Sequence, residues 1–211
     1  MISTKEKIVN LMYHLVAEKG YDKTSIGQIC EIIGIKKPSV YYYFKSKEEI
    51  FLYMIEDIID KGFREISINP LLDGYTVEAY KTDLIEGYIE IINQYKKDEN
   101  YSKVIMELLV QSNRIESVQD LLNDYSDRIR DYLLHVLEVG EKIGAFNNSF
   151  DRKLNAELLY STMQGIECAI VFNLSIDNPI AVWTETVNRM FVTNRSDCQD
   201  KIEIDNNKGD K

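Results

Sequence analysis

The sequence predicts an all-α fold of about nine helices: an N-terminal three-helix unit of helix-turn-helix type, then a larger helical body. Three observations carry this reading. Apolar residues recur every three or four positions along most of the chain, and no run alternates with the period of two that a half-buried strand requires. Three Ser-x-x-Glu/Gln capping boxes fall within the first fifty residues. Only three prolines and ten glycines punctuate 211 residues, as a mostly helical chain allows.

The elements follow in order. Ser3-Thr4-Lys5-Glu6 starts a first helix that places Ile8, Leu11, Met12, Leu15 and Val16 on one face, and Gly20 stops it. After Tyr21-Asp22-Lys23, the box Ser25-Ile26-Gly27-Gln28 opens a second helix with Ile26, Ile29, Cys30 and Ile33 inward, ending at Gly34. Pro38 suits the first position of a short third helix that ends near Phe44 or Lys45. Three short helices with a glycine turn between the second and third describe a helix-turn-helix. Ser46-Lys47-Glu48-Glu49 then opens a long helix to about Ile66, and Ser67–Tyr75 reads as a loop.

Beyond it, Val77, Tyr80, Leu84, Tyr88, Ile91 and Tyr95 mark one stripe, and Val104, Ile105, Leu108 and Leu109 a shorter one. Val118, Leu122, Tyr125, Ile129, Tyr132 and Val136 step by four and three, a seam suited to packing along another helix. Leu154 to Leu174 is apolar almost all round, which predicts burial on more than one side. Asn178-Pro179 starts a last helix carrying Val182, Trp183, Thr186, Val187, Met190 and Phe191 on one stripe. The polar stretch Arg195–Lys211 has little to bury and is expected to be disordered. The expected division is 1–46 for the helix-turn-helix, 47–195 for the body and 196–211 for the tail.

Net charge is −10, which by itself speaks against a nucleic-acid partner. Its distribution speaks the other way. Residues 1–47 carry eight lysines against four acids, so +4, and the remainder carries −14. A solvated lysine face would also account for the basic end. Cys30, Cys168 and Cys198 form an odd, widely spaced set that reads as reduced thiols, not a disulfide frame or zinc site. With neither a membrane-length apolar run nor a leader pattern, a cytoplasmic protein with no membrane partner is expected.

The stretch GIKKPSVYYYFKSKEE, residues 34–49, asks where four consecutive aromatics point. A helix turns about 100° per residue, so one core cannot receive them all. With Val40 inward, Phe44 lies on nearly the same bearing and joins the small core. Tyr42 then points outward with Pro38 and Ser39, flanked by Tyr41 and Tyr43. Tyr41 alone is equally well accounted for by packing against the fourth helix. Such a ridge suits a DNA major groove, about 12 Å wide, with the flanking hydroxyls available to phosphates. Lys36 and Lys37 sit at the helix start, where recognition helices touch base edges. Lys47 opposes the macrodipole of the fourth helix, which makes sense if a phosphate docks at that N-terminus.

Thr24-Ser25-Ile26, Ile29-Cys30, Ile33-Gly34-Ile35, Pro38-Ser39-Val40-Tyr41, Tyr43-Phe44 and Ser46-Lys47-Glu48-Glu49 together resemble the N-terminal signature of the TetR family of transcriptional repressors, densely over residues 8–55. The resemblance implies an all-helical homodimer that binds a double-stranded DNA operator and responds to a small-molecule inducer. It implies Thr24 and Ser25 as phosphate contacts, Lys36, Lys37, Pro38 and Ser39 as the base-reading edge, and Tyr41, Tyr43 and Lys47 as a phosphate clamp. Gly27 stands where many members carry a side chain that reaches a base, and Cys30 and Ile33 replace common alanines.

Dimerisation is expected on Leu154–Leu174 and Pro179–Phe191, through Leu158, Gly165, Trp183, Val187 and Met190; both helices closing one monomeric core is the alternative. A lipophilic or cationic inducer is expected between the middle helices, near Tyr88, Met106, Tyr125, Met163 and Glu167. Ordinary core or surface placement of these five is the competing reading. No metal, cofactor or enzymatic activity is expected: His14 and His135 lie far apart, and no nucleophile setting, phosphate loop or metal-ligand spacing appears. An all-helical adaptor without DNA binding is the rival class; it explains the stripes but not the outward tyrosines.

Overall fold

A computed structural model describes residues 2–65 and 75–191. Nine helices occur among the described residues and no strand. They are α1 (Thr4–Lys19), α2 (Ile26–Ile33), α3 (Lys37–Tyr41), α4 (Lys47–Glu65), α5 (Val77–Lys97), α6 (Glu99–Ser112), α7 (Glu116–Lys142), α8 (Arg152–Val171) and α9 (Pro179–Met190). The loop expected from Ser67 and the tail from Arg195 lie outside the described residues, apart from Tyr75.

Local chemistry sets the helix ends. Ser3 and Ser25 form complete capping boxes with Glu6 and Gln28. Gly20 and Gly34 leave α1 and α2 with φ of +83° and +77°, a region that costs little only without a Cβ. At α4, Ser46 Oγ accepts from Glu49 N (3.0 Å), while the Glu49 carboxylate accepts from Lys45 N, one residue earlier than the sequence pattern implies. α3 ends at Tyr41, short of the expected Phe44. Its last turn tightens, with the N–H groups of both Tyr43 and Phe44 donating to Val40 O.

Two hydrophobic clusters organise the chain. The first joins Ile8, Met12, Leu15 and Val16 of α1 to Ile29 and Cys30 of α2, Val40, Phe44, and Ile50, Phe51, Met54 and Ile55 of α4. It is closed by Val104 and Leu108 of α6 and Val118 of α7. The second holds Tyr80, Leu84, Tyr88 and Ile92 of α5 against α7, α8 and α9. Within it, Trp183 Nε1 donates to Ile85 O (3.1 Å) and Tyr80 Oη to Val136 O (3.1 Å), so the buried aromatics keep their polar atoms satisfied.

These clusters correct two expectations. Trp183, Val187 and Met190 face inward and are buried in the subunit's own second cluster, so they cannot supply an apolar seam to another chain. The stripe on α9 is genuine, but it packs on α5 and α8. α8 in turn is buried on one side only, through Ala156, Leu159, Met163 and Ile166. Its other side exposes Leu154, Leu158, Gly165 and Phe172.

Gly140 marks the tightest point of the second cluster. A Cβ there would lie 2.4 Å from Phe146 Cε2 and 2.7 Å from Tyr80 Oη. Phe146 cannot swing aside freely, because it stacks on Phe150 at 3.9 Å and packs on Phe191 at 5.2 Å. Gly140→Ala is therefore expected to destabilise the fold by about 1–3 kcal/mol, despite the better helix propensity of alanine. Urea unfolding measures this, and an unchanged or raised midpoint would show that the ring box yields.

Candidate nucleic-acid interface and internal cavity

The N-terminal unit of α1, α2 and α3, the head, presents α3 on its surface. Val40 and Phe44 are fully buried, and the three rings between them are left outside: Tyr42 is 82% exposed, Tyr41 52% and Tyr43 37%. Tyr42 and Tyr43 meet edge to face at 4.9 Å. Lys36, Lys37, Pro38 and Ser39, at the start of the same helix, are all exposed, and so are Lys23 and Lys45. The outcome is a convex, basic, hydroxyl-bearing ridge that the subunit itself does not cover. Ser25 also stays at the surface as the α2 N-cap, its Oγ accepting from Gln28 N at 3.3 Å.

Two expected contacts are placed differently. Thr24 is 1% exposed, and its hydroxyl donates to Gly20 O at 2.9 Å. Its side chain fastens the α1–α2 turn and has no path to a phosphate. Lys47 Nζ donates to Tyr21 O (3.0 Å) and lies 3.9 Å from the centroid of the Tyr21 ring. Tyr21 packs in turn on Phe51 at 4.7 Å. Desolvation holds the Lys47 ammonium below its ordinary range, while Asp22 and Glu107 pull it upward. The cation in the first turn of α4 thus has an internal reason to be there: it ties α4 to the turn that follows α1. The same burial pushes the Tyr21 phenol up to about 12.

In the body, a cavity of about 260 Å³ lies between α4, α5, α6, α7 and α8. Tyr125, Met163 and Glu167 line it, as the sequence suggests. Tyr88 stands behind the wall, donating to Met163 O at 2.9 Å with Glu167 Oε1 at 3.4 Å. Met106 is 38% exposed on the far side of α6 and does not line it. Sequence reasoning missed Gln94 and Tyr101, and placed Tyr95 only on a stripe. Tyr95 and Tyr101 pack edge to face at 4.7 Å in the cavity wall. Fourteen tyrosines in one chain was the available signal. Desolvation raises the Glu167 carboxyl to about 7, against the lowering effect of Tyr88.

No group of three or more potential metal-binding side chains comes together among the described residues. No described helix is long and apolar enough to cross a membrane.

Comparison with known proteins points the same way. Residues 12–54 match the model for bacterial regulatory proteins of the tetR family. Over 91 residues the chain is 33% identical to the biofilm operon icaADBC HTH-type negative transcriptional regulator IcaR of Staphylococcus aureus (strain Newman). That match takes in 43% of this chain and 49% of the relative, so the chain spans about half the length of this curated relative. In fold it is similar to a TetR transcription regulator of Haloarcula marismortui, with a TM-score of 0.72 at 17% identity over 88% of this chain and 97% of the other. It is also similar to SmeT in a complex with triclosan, with a TM-score of 0.73 at 20% identity over 88% and 90%.

The engagement of Lys47 makes a structural prediction that needs no ligand. Lys47→Met should cost about 1–2 kcal/mol by removing a charged hydrogen bond and a cation–π contact. Tyr42→Ala should leave stability within about 0.5 kcal/mol, since the ring touches little of the subunit. Chemical unfolding of both variants checks the contrast, and equal losses would mean the two residues have been assigned the wrong partners.

Proposed function

We propose that this chain, a member of the TetR family of bacterial regulators, binds a near-palindromic DNA operator as a homodimer, represses transcription there, and is released when a small molecule fills the cavity. The observation that carries the reading is the uncovered ridge of Tyr41, Tyr42 and Tyr43 beside Lys36, Lys37, Pro38 and Ser39. Val40 and Phe44 anchor the ridge, so it meets the groove as a rigid body and its ordering costs little on binding. The base edges fall to Lys36, Lys37, Pro38 and Ser39, and the phosphates to Tyr41, Tyr43 and Ser25. Lys47 holds the turn that sets the angle of α2 and α3, in place of a direct clamp.

The dimer reading rests on the outer side of α8. Leu154 is 65% exposed and Leu158 51%, and Phe172 and Val182 continue the apolar surface. Nothing lies within 4 Å of a Cβ built at Gly165, which leaves room for a second helix to approach there. A two-fold pairing of α8 and α9 would cover this surface and present two α3 ridges, about one DNA turn apart or somewhat more.

Release follows from the position of α6. Tyr101, Ile105, Leu108 and Leu109 face the cavity, while Val104 and Leu108 lie in the core that seats α1. A ligand that displaces α6 therefore displaces the seat of the head. Repression agrees with the naming of IcaR as a negative regulator, and a small-molecule site agrees with the triclosan complex of SmeT.

Band shifts on DNA flanking the gene for this chain test the reading. Binding should weaken steeply with salt, and Lys36→Ala and Lys37→Ala should each cost about 1–3 kcal/mol in operator binding and relax the preference for operator over unrelated DNA. Leu158→Arg should sediment as a monomer and shift the same DNA at least about tenfold more weakly, as the loss of linkage between half-sites requires. No shift with any flanking fragment at low salt would contradict the proposal.

A further inference from the structure

The cavity has a chemistry that narrows what it can take. Isoleucine and leucine are the commonest residues of its wall, joined by three tyrosines, four amides, one serine and one thiol. Among the described residues Glu167 is the one carboxylate in that wall, and no described lysine or arginine side chain lines it. Among the described residues no ion pair reaches Glu167, and the hydrogen bond recorded to its side chain is the 3.4 Å approach of Tyr88 Oη. Tyr88 has one proton and two acceptors in reach, and the Met163 carbonyl at 2.9 Å is the nearer. The carboxylate is thus poorly satisfied, in a setting where an unpaired charge is expensive. Around it, Tyr95, Tyr101 and Tyr125 present aromatic rings from three different helices.

We propose that this cavity selects an organic monocation, an amine or quaternary ammonium ion with an apolar body, holding its charged head between the Glu167 carboxylate and the rings of Tyr95, Tyr101 and Tyr125. Each part of such a ligand meets a matching surface. The charge gains a counter-ion and ring faces, and the body gains aliphatic wall. An anion meets Glu167 as a like charge, and a neutral molecule leaves it unpaired. The proposal rests on the effector reading of the cavity and adds the ligand class to it.

Binding should also move a proton. Among the described residues, the ionisable groups around Glu167 are Tyr88 and Tyr95 from α5, Tyr101 from α6, Tyr125 from α7 and Cys168 from α8, whereas the described part of α4 contributes Ile55, Ile58 and Ile59. None of these is a cation, so the empty site leaves Glu167 raised to about 7 by burial. A bound cation lowers it, and at pH 7 roughly half a proton per site leaves as the ligand enters.

Full-length protein is titrated calorimetrically with two cations of different size, benzyltrimethylammonium and tetraphenylphosphonium, with neopentylbenzene as the neutral isostere of the first, and with phenylacetate. At least one cation should bind and raise the melting temperature. Its apparent heat should change with buffer ionisation enthalpy as proton release requires. Glu167→Gln should weaken it about tenfold to a hundredfold. Tyr101→Leu should weaken it about threefold to thirtyfold, and Tyr101→Phe by no more than about twofold. The melting curves of the empty variants verify that each folds. Equal binding of neopentylbenzene, or a cation affinity indifferent to Glu167→Gln and Tyr101→Leu alike, would overturn the proposal. If a neutral or anionic probe binds there and releases operator DNA, cation selectivity falls while the effector site stands. If a cation binds with these signatures but leaves DNA binding untouched, the selectivity stands and the effector reading falls.

Discussion

The packing of α6 against α1 is the constraint on which the rest of this molecule depends. The head is a short segment of three helices, and its core is completed by residues from outside it. Val104 and Leu108 supply the missing wall, and both are buried among Ile8, Met12, Leu15 and Val16. A glycine stands at this contact. A Cβ at Gly20 would come within 3.2 Å of the Glu107 carboxylate, at a φ of +83° that a side chain rarely adopts. The backbone conformation of the turn after α1 therefore favours glycine, and the Glu107 side chain of α6 lies against it. Asp98 adds a polar fastening at the start of α6, capping it through Asn100 N and accepting from Tyr13 Oη at 2.6 Å.

Core packing, not charge, holds head to body. The ion pair between them among the described residues, Arg114 with Asp22, is more than half exposed on both sides, where screening leaves such a pair worth little. Apolar contact transmits displacement, because a packed core has few intermediate arrangements. α6 touches the cavity with Tyr101 and Ile105 and the head with Val104, so one rigid helix borders both sites. Charge does a different job here. The acidic body and the basic head sort the surface, leaving the lysines beside α3 as the cationic region that a polyanion would meet first.

How much of this was legible in the sequence depended on the range of the forces involved. Capping boxes and glycine stops act within four residues, so the limits of α1 and α2 could be read directly. The outward turn of Tyr42 follows from helix geometry once Val40 and Phe44 are taken as core. Lys47 and Thr24 were another matter. Their partners are Tyr21 O and Gly20 O, and a three- or four-residue motif does not disclose whether a hydroxyl or an ammonium bends inward. The same limit applies to Trp183, Val187 and Met190. Periodicity identifies an apolar stripe on α9 but not the body it faces, and α5 takes that place. For the cavity, Tyr125, Met163 and Glu167 share a face with the seams and were accessible to pattern. Tyr101 reaches the wall beyond the break at Asp98, which ends α5 and caps the start of α6.

The central claim is that head and α6 form one cooperative unit. Native-state hydrogen exchange across a denaturant series tests it most directly, by giving an opening free energy for each amide. The amides of α1 and α6 should open with free energies equal to within about 1 kcal/mol, and Leu108→Ala, which cuts their shared core, should lower both together by about 2–5 kcal/mol. If α1 instead opens well below α6, and Leu108→Ala lowers α6 without moving α1, the head is an independent module and its link to the cavity through α6 is contradicted.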